Sequence, residues 1–198
     1  MLNIYLDESI EQVDKKLWKI SICGVEIGQE QVEDSVARIM STIADPIRFP
    51  KTGRKIHFSE MNDAQQSQIV EVISKLPIGA KTYTYYLMAE NEAAAKRTAM
   101  ERAVNHLQHI HRARDITVFV EHANEYRDSE VKGYLHKDLP AFMLPDAILS
   151  VYSKFLNDTK TYSTSSNARF YVLLKAKIRL QSFSTDEHQE HNERDRRL

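Results

Sequence analysis

Carboxylates at the ends of predicted elements are the side chains of this chain that are best suited to chemistry. The opening run L-N-I-Y-L-D-E-S alternates apolar and polar residues, which predicts a strand over residues 2–9 that carries Asp7 and Glu8 on opposite faces of its C-terminal end. Acids are depleted from strands. Two interpretations therefore stay open: a solvated turn after the strand, or a site for Mg²⁺ or Mn²⁺, which carboxylate oxygens bind.

Three further acids repeat this placement at element ends. The run D-I-T-V-F-V-E predicts a buried, central strand that ends at Glu121. Asp146 lies in the first turn of a helix that Pro145 opens. Glu60 lies at a strand-to-helix junction, where the helix dipole alone favours a carboxylate by about 0.3–1 kcal/mol. The position of Glu60 therefore has a structural explanation that requires no function. The positions of the other acids are better candidates for a functional site.

The elements that must position these acids follow from hydrophobic periodicity, which predicts one α/β domain over residues 1–183. Strands are predicted at residues 2–9, 17–27, 56–59, 81–88 and 115–121. Helices are predicted at residues 29–44, 62–76, 92–111, 145–156 and 168–183, the last of which also allows a strand. Residues 184–198 are charged and have no apolar side chain before Leu198, so a disordered tail is expected there.

Composition excludes some classes of function. The formal net charge of the 198 residues is −1, which argues against a binder that attracts nucleic acid by a global positive field, although a local basic rim remains possible. The single cysteine, Cys23, cannot form an internal disulfide, which favours a reducing compartment. No apolar run approaches the ~20 residues needed to span a bilayer. We therefore expect a cytoplasmic protein without membrane contact.

Basic residues close to the acids are candidates for substrate contacts. Lys55 ends the most basic loop of the first half, for which a solvated loop is favoured over a phosphate contact. Arg112 and Arg114 follow the helix predicted at residues 92–111, whose basic face is the best candidate for contact with a polyanion. His57 alternates with apolar neighbours and is expected to point away from them.

Taken in order, the motifs resemble those of the bacterial family known as domain of unknown function 3800. The matching segments are I-Y-L-D-E-S, G-V-E-I, I-H-F-S-E, P-D-A-I-L-S-V-Y and Y-V-L-L-K-A-K-I-R, spread over most of the chain. That family is RNase H-like. The resemblance therefore implies an RNase H-like mixed sheet flanked by helices, with an extra helix after the second strand.

The resemblance also implies a metal-dependent nuclease that uses Mg²⁺ or Mn²⁺ and acts in defence against foreign nucleic acid, either DNA or RNA. The expected catalytic residues are Asp7, Glu60, Glu121 and Asp146. The expected metal ligands are Asp7, Glu8, Glu121 and Asp146. The expected substrate contacts are Lys55, His57, Arg112 and Arg114. A protein partner or a homo-oligomer is compatible with this interpretation.

Two departures from the family pattern keep other functions open. Ile10 follows Ser9 where the family usually has glycine, and Glu121 stands where aspartate is more frequent. These departures favour the alternative of a catalytically inactive RNase H-like module that binds a partner protein or nucleic acid in a larger complex. A third hypothesis is an enzyme on a small substrate that uses His57 and Glu60 as acid and base.

Overall fold

The computed structural model describes residues 1–43, 57–120, 140–157 and 166–183. The strands in these ranges are β1 Leu2–Asp14, β2 Leu17–Gly28, β3 Gly79–Met88, β4 Ile116–Val120 and β5 Ile178–Phe183. The helices are α1 Val32–Ile43, α2 Asp63–Lys75, α3 Glu92–Ile110, α4 Met143–Asn157 and α5 Ser166–Leu174. Short 3-10 turns lie at Gln29–Gln31, Phe58–Glu60 and Pro140–Phe142.

The strands form one mixed sheet in the order β4-β1-β2-β3-β5. β1, β2 and β3 are an antiparallel meander, β4 is parallel to β1, and β5 is parallel to β3. Helices pack on both faces of the sheet, and α1 follows the second strand. The predicted fold class, an α/β fold with a mixed sheet flanked by helices and a helix after the second strand, is confirmed.

The two faces of the sheet bury separate apolar cores. α3 covers the face that carries Ile4, Leu6, Ile22 and Tyr83. α4 covers the opposite face together with α1, α2 and α5. The core on that face is the larger one, and its buried side chains include Tyr5, Cys23, Val25, Ile27, Phe58, Ile69, Ile73, Phe142 and Ile148. Successive residues of β1 therefore belong to different cores, because side chains alternate along a strand.

β1 is longer than its hydrophobic pattern predicts. It continues to Asp14 and joins β2 through a turn at Lys15 and Lys16. Residues 8–14, of which only Ile10 and Val13 are apolar, lie in a hairpin arm. Pairing with β2 satisfies the backbone groups that face that strand, although most of the side chains are not buried. The prediction that the strand ends beside Asp7 was wrong: Asp7 lies in mid-strand, opposite Cys23.

Three other predicted elements differ. Phe58–Glu60 is a 3-10 turn and not a strand, because the fully buried Phe58 directs its N–H to the Asp146 carboxylate. The helix predicted at residues 168–183 is α5 followed by β5, which pairs with β3. Finally, β4 borders only β1 within the described part of the sheet, so it is an edge strand there and not the predicted central one.

The remaining helices are confirmed, with Asn62 capping α2. Ile110, at the C-terminal end of α3, is 39% exposed. Lys55, Glu121 and the predicted tail lie outside the described residues. Within the described ranges, no helix is long and apolar enough to cross a membrane.

Candidate functional site

Asp146 lies in the first turn of α4 and fixes the segment that carries His57. Its Oδ2 accepts a hydrogen bond from the backbone N–H of Phe58 over 2.9 Å. The Nδ1 atom of His57 lies 3.8 Å from the same oxygen, while Ser150 Oγ lies 3.5 Å from Oδ1. The Asp146 side chain is only 13% exposed, and His57 is 45% exposed. The structure therefore brings His57 and Asp146 together, with the imidazole on the solvent side.

Asp7 is a buried acid on the face of the sheet that α4 covers. It is 9% exposed, and its Oδ1 accepts a hydrogen bond from the N–H of Glu8 over 3.0 Å. Its cross-strand partner is Cys23. Burial raises the pKa of the Cys23 thiol well above its ordinary value, and the negative charge of Asp7 raises that pKa further. The negative charge of Asp7 is thus felt by a side chain in the core between the sheet and α4.

The ring contact between Tyr5 and Phe142 shows that Asp7 and Asp146 lie on the same side of the sheet. Tyr5 precedes Asp7 by two residues on the same face of β1, and its ring meets Phe142 edge to face with centroids 5.7 Å apart. Phe142 precedes Asp146 by four residues, about one helical turn. Asp7 and Asp146 are therefore each close in sequence to a residue of this contact, on the face of the sheet that α4 covers.

Glu8 is not on that side. Alternation along β1 turns its side chain toward α3, where Oε1 lies 3.8 Å from Lys96 Nζ and the side chain is 3% exposed. The structure does not bring this predicted metal ligand to Asp7. Glu60 ends the 3-10 turn that begins beside His57, and its side chain is exposed.

Arg112 and Arg114, the predicted substrate contacts, follow the C-terminal end of α3 and are exposed. The chain then enters β4 at Ile116, which pairs with Leu2. Leu2 and Asp7 are separated by five residues of β1, or roughly 17 Å at about 3.3 Å per residue. The structure therefore places these arginines near the N-terminal end of β1, away from Asp7 in the middle of the strand.

The donor chemistry near Asp7 and Asp146 suits a hard divalent cation, because carboxylate oxygens are the ligands that Mg²⁺ and Mn²⁺ prefer. Among the described residues, no group of three or more His, Cys, Asp or Glu side chains is arranged to hold a metal ion. The predicted ligand Glu121 and the predicted substrate contact Lys55 fall outside those residues. In sequence, Asp7 and Glu121 follow Leu6 and Val120, the last register pair of β1 and β4.

The structure also shows a polar cluster that the sequence did not indicate, on the α3 side of the sheet. Lys81 Nζ contacts the Glu26 carboxylate and lies 3.2 Å from His111 Nε2, which is 3.0 Å from Glu26 Oε1. Burial, and then the charges of Lys81 and Arg114, lower the pKa of His111. The feature of the sequence that could have pointed to this cluster is Glu26, an acid inside an apolar strand.

Comparison with known proteins adds no assignment. No protein-family model matches the chain, and no curated protein is significantly similar to it. A function is therefore proposed from the residues, their geometry and the resemblance of the motifs.

Proposed function

We propose that the protein is a metal-dependent nuclease that hydrolyses phosphodiester bonds, with Asp7 and Asp146 as carboxylate ligands of Mg²⁺ or Mn²⁺. The observation that supports this is the placement of two largely buried acids from distant parts of the chain on one side of the sheet, linked through the Tyr5–Phe142 contact. Buried carboxylates are costly unless hydrogen bonds or cations compensate them. Each acid already accepts one backbone hydrogen bond, and a shared cation would balance negative charge that remains on the two side chains.

A divalent ion, when bound, lowers the pKa of an attacking water and stabilises the charge that develops on the phosphate oxygens. The chain itself contributes rigidity. Asp7 is held in the middle of a paired strand, and the Phe58 N–H fixes one oxygen of Asp146. Side chains held by packing and by hydrogen bonds keep a site in its working geometry.

Glu121 is the third ligand of this proposal. It follows Val120, whose β1 partner Leu6 is followed by Asp7, and the family resemblance assigns it the same role. Glu8 is not included, because it faces α3. The half-exposed His57 would contact the scissile phosphate or transfer a proton to the leaving oxygen from the solvent side. Defence against foreign nucleic acid is the biological role that the resemblance implies.

The alternative, a catalytically inactive RNase H-like module that binds a partner protein or nucleic acid, also has a supporting observation. Asp146 Oδ2 already accepts the Phe58 N–H, which is a structural task that needs no metal. The experiment below therefore includes an outcome that would favour the binding module.

Titration of the full chain with Mn²⁺ by calorimetry, together with cleavage of single- and double-stranded DNA and RNA, tests the proposal. Asp7→Asn is expected to abolish metal binding and cleavage while circular dichroism shows an intact fold. Glu11→Gln is the matched control: it removes one charge from the same strand, and its side chain is 59% exposed beside Lys19. Absence of Mn²⁺ binding by the unaltered protein at millimolar metal would favour the binding module.

A further inference from the structure

A cavity of about 540 Å³ lies at the end of the sheet where β3 begins. Its walls include Glu26, Lys81, Ile110, His111, Arg114 and Lys177. Pockets that bind small molecules typically enclose roughly 300–1,000 Å³. Glu26 and Lys81 point to the α3 side of the sheet, whereas Asp7 points to the α4 side. The cavity is therefore separate from the site proposed for hydrolysis.

The cavity carries an excess of positive charge. Lys81, Arg114 and Lys177 contribute three cations, and Glu26 contributes one carboxylate. Lys81 is the cation that Glu26 neutralises. Counting only partners within the described residues, neither Arg114 nor Lys177 has a carboxylate at ion-pair distance. Two positive charges therefore remain to attract an anion.

Two of the three cationic side chains of the cavity, Lys81 and Lys177, are positioned in advance. The Lys81 side chain is 9% exposed and is held between Glu26 and His111. Lys177 Nζ donates to the carbonyl oxygen of Leu76 over 2.6 Å, which fixes the ammonium and leaves two of its three hydrogens for other acceptors. Groups that are ordered before binding lose less entropy when a ligand arrives.

We propose that this cavity binds the phosphate group of a small phosphorylated molecule, with Arg114 and Lys177 as the direct contacts and Lys81 held behind them by Glu26 and His111. A guanidinium matches two phosphate oxygens at once, and an ammonium serves as a point charge. The cavity is large enough for a phosphate together with an organic group. A small ligand fits better than a long polyanion, because the net charge of −1 gives no extended positive field.

Calorimetric titration of the full chain with inorganic phosphate, AMP and adenosine tests this proposal. Phosphate and AMP are expected to bind and adenosine is not, and a tighter affinity for AMP would show that the organic group also makes contacts. Arg114→Gln and Lys177→Gln should each weaken phosphate binding by about tenfold, since each removes a charge-assisted hydrogen bond. Circular dichroism should be unchanged in both variants. The melting temperature should be unchanged in Arg114→Gln, because Arg114 is exposed, whereas Lys177→Gln should lower it by a few degrees, because it removes the hydrogen bond to the Leu76 carbonyl.

Arg169→Gln and Lys175→Gln are matched controls, because both side chains are exposed cations that do not line the cavity. Both should bind phosphate as the unaltered protein does. The proposal is overturned if neither phosphate nor AMP binds at millimolar concentration, which would leave Glu26, Lys81 and His111 as a structural ion cluster. It is equally overturned if the controls lose as much affinity as the cavity variants, since binding would then be nonspecific.

Discussion

The backbone N–H of Phe58 donates a hydrogen bond to Asp146 Oδ2 over 2.9 Å, which joins the 3-10 turn to the first turn of α4. The carbonyl oxygen of Phe58 accepts a hydrogen bond from Gln66 Nε2 over 3.0 Å. The carbonyl also accepts the N–H of Met61, so both backbone polar groups of this buried residue are satisfied by side chains and by the turn itself, and not by a neighbouring strand. His57 is consequently held beside Asp146, although no sheet supports the turn.

Replacement of Asp146 separates its structural task from its proposed metal-binding one. Asp146→Ala leaves the buried Phe58 N–H without its acceptor and should lower the free energy of unfolding by about 1–3 kcal/mol. Asp146→Asn keeps an oxygen for that bond and should cost about 1 kcal/mol or less. Metal-dependent cleavage should be lost in both variants. Urea unfolding and nuclease assays measure the two effects.

Ser150→Ala is the control for Asp146, because its Oγ lies 3.5 Å from Oδ1, at the outer limit of a hydrogen bond. The change should alter stability by less than about 0.5 kcal/mol. Equal stability of Asp146→Ala and the unaltered protein would contradict the anchoring role of the carboxylate.

The N-terminal cap of α2 gives a second stability prediction. Asn62 accepts a hydrogen bond from the Gln65 N–H, and the Gln65 side chain accepts one from the Asn62 N–H. Asn62→Ala should therefore lower the free energy of unfolding by about 0.5–2 kcal/mol, whereas Asn62→Gly should cost only a few tenths. Chemical denaturation of both variants decides this, and an alanine variant no less stable than the glycine one would refute the capping box.

Periodicity and capping were enough to predict most helices, because local sequence determines them. The Asn62 cap and the buried stripe of α3 are examples. The strands were harder. The polar arm of β1 after Asp7 shows no core pattern, because the hairpin partner and not burial holds it. The last segment forms β5 because β3 offers an edge to pair with, which no local pattern reveals.

The candidate sites were also only partly predictable, because contacts between distant parts of the chain form them. Asp7 and Asp146 were identified from residue type and from the resemblance, and they lie on one side of the sheet. The cluster of Glu26, Lys81 and His111 could not be predicted, because it depends on the β2–β3 register and on where α3 ends. Glu8, predicted as a metal ligand, faces α3 instead, which agrees with the predicted placement of Asp7 and Glu8 on opposite faces of the strand.

Cys23 should be chemically inert in the folded protein. The thiol is fully buried, and burial followed by the charge of Asp7 raises its pKa well above the ordinary value, so little thiolate forms. A thiol reagent at pH 8 should react on the order of a hundredfold more slowly than with the urea-unfolded chain, because reaction requires opening of the core. Asp7→Asn should remain slow, as burial is the larger cause. Rapid labelling of the native protein would contradict the buried position.

His111 should make stability depend on pH. Burial and the charges of Lys81 and Arg114 lower its pKa below the ordinary 6.5, so below that pH the unfolded chain binds more protons than the folded one. The stability that His111 contributes is therefore complete above pH 6.5 and is lost as pH falls through the lowered pKa. Urea unfolding between pH 5 and 8 should show this loss, and His111→Gln should reduce the slope. An NMR titration that gives His111 a pKa above 6.5 would show that Glu26, 3.0 Å away, dominates instead.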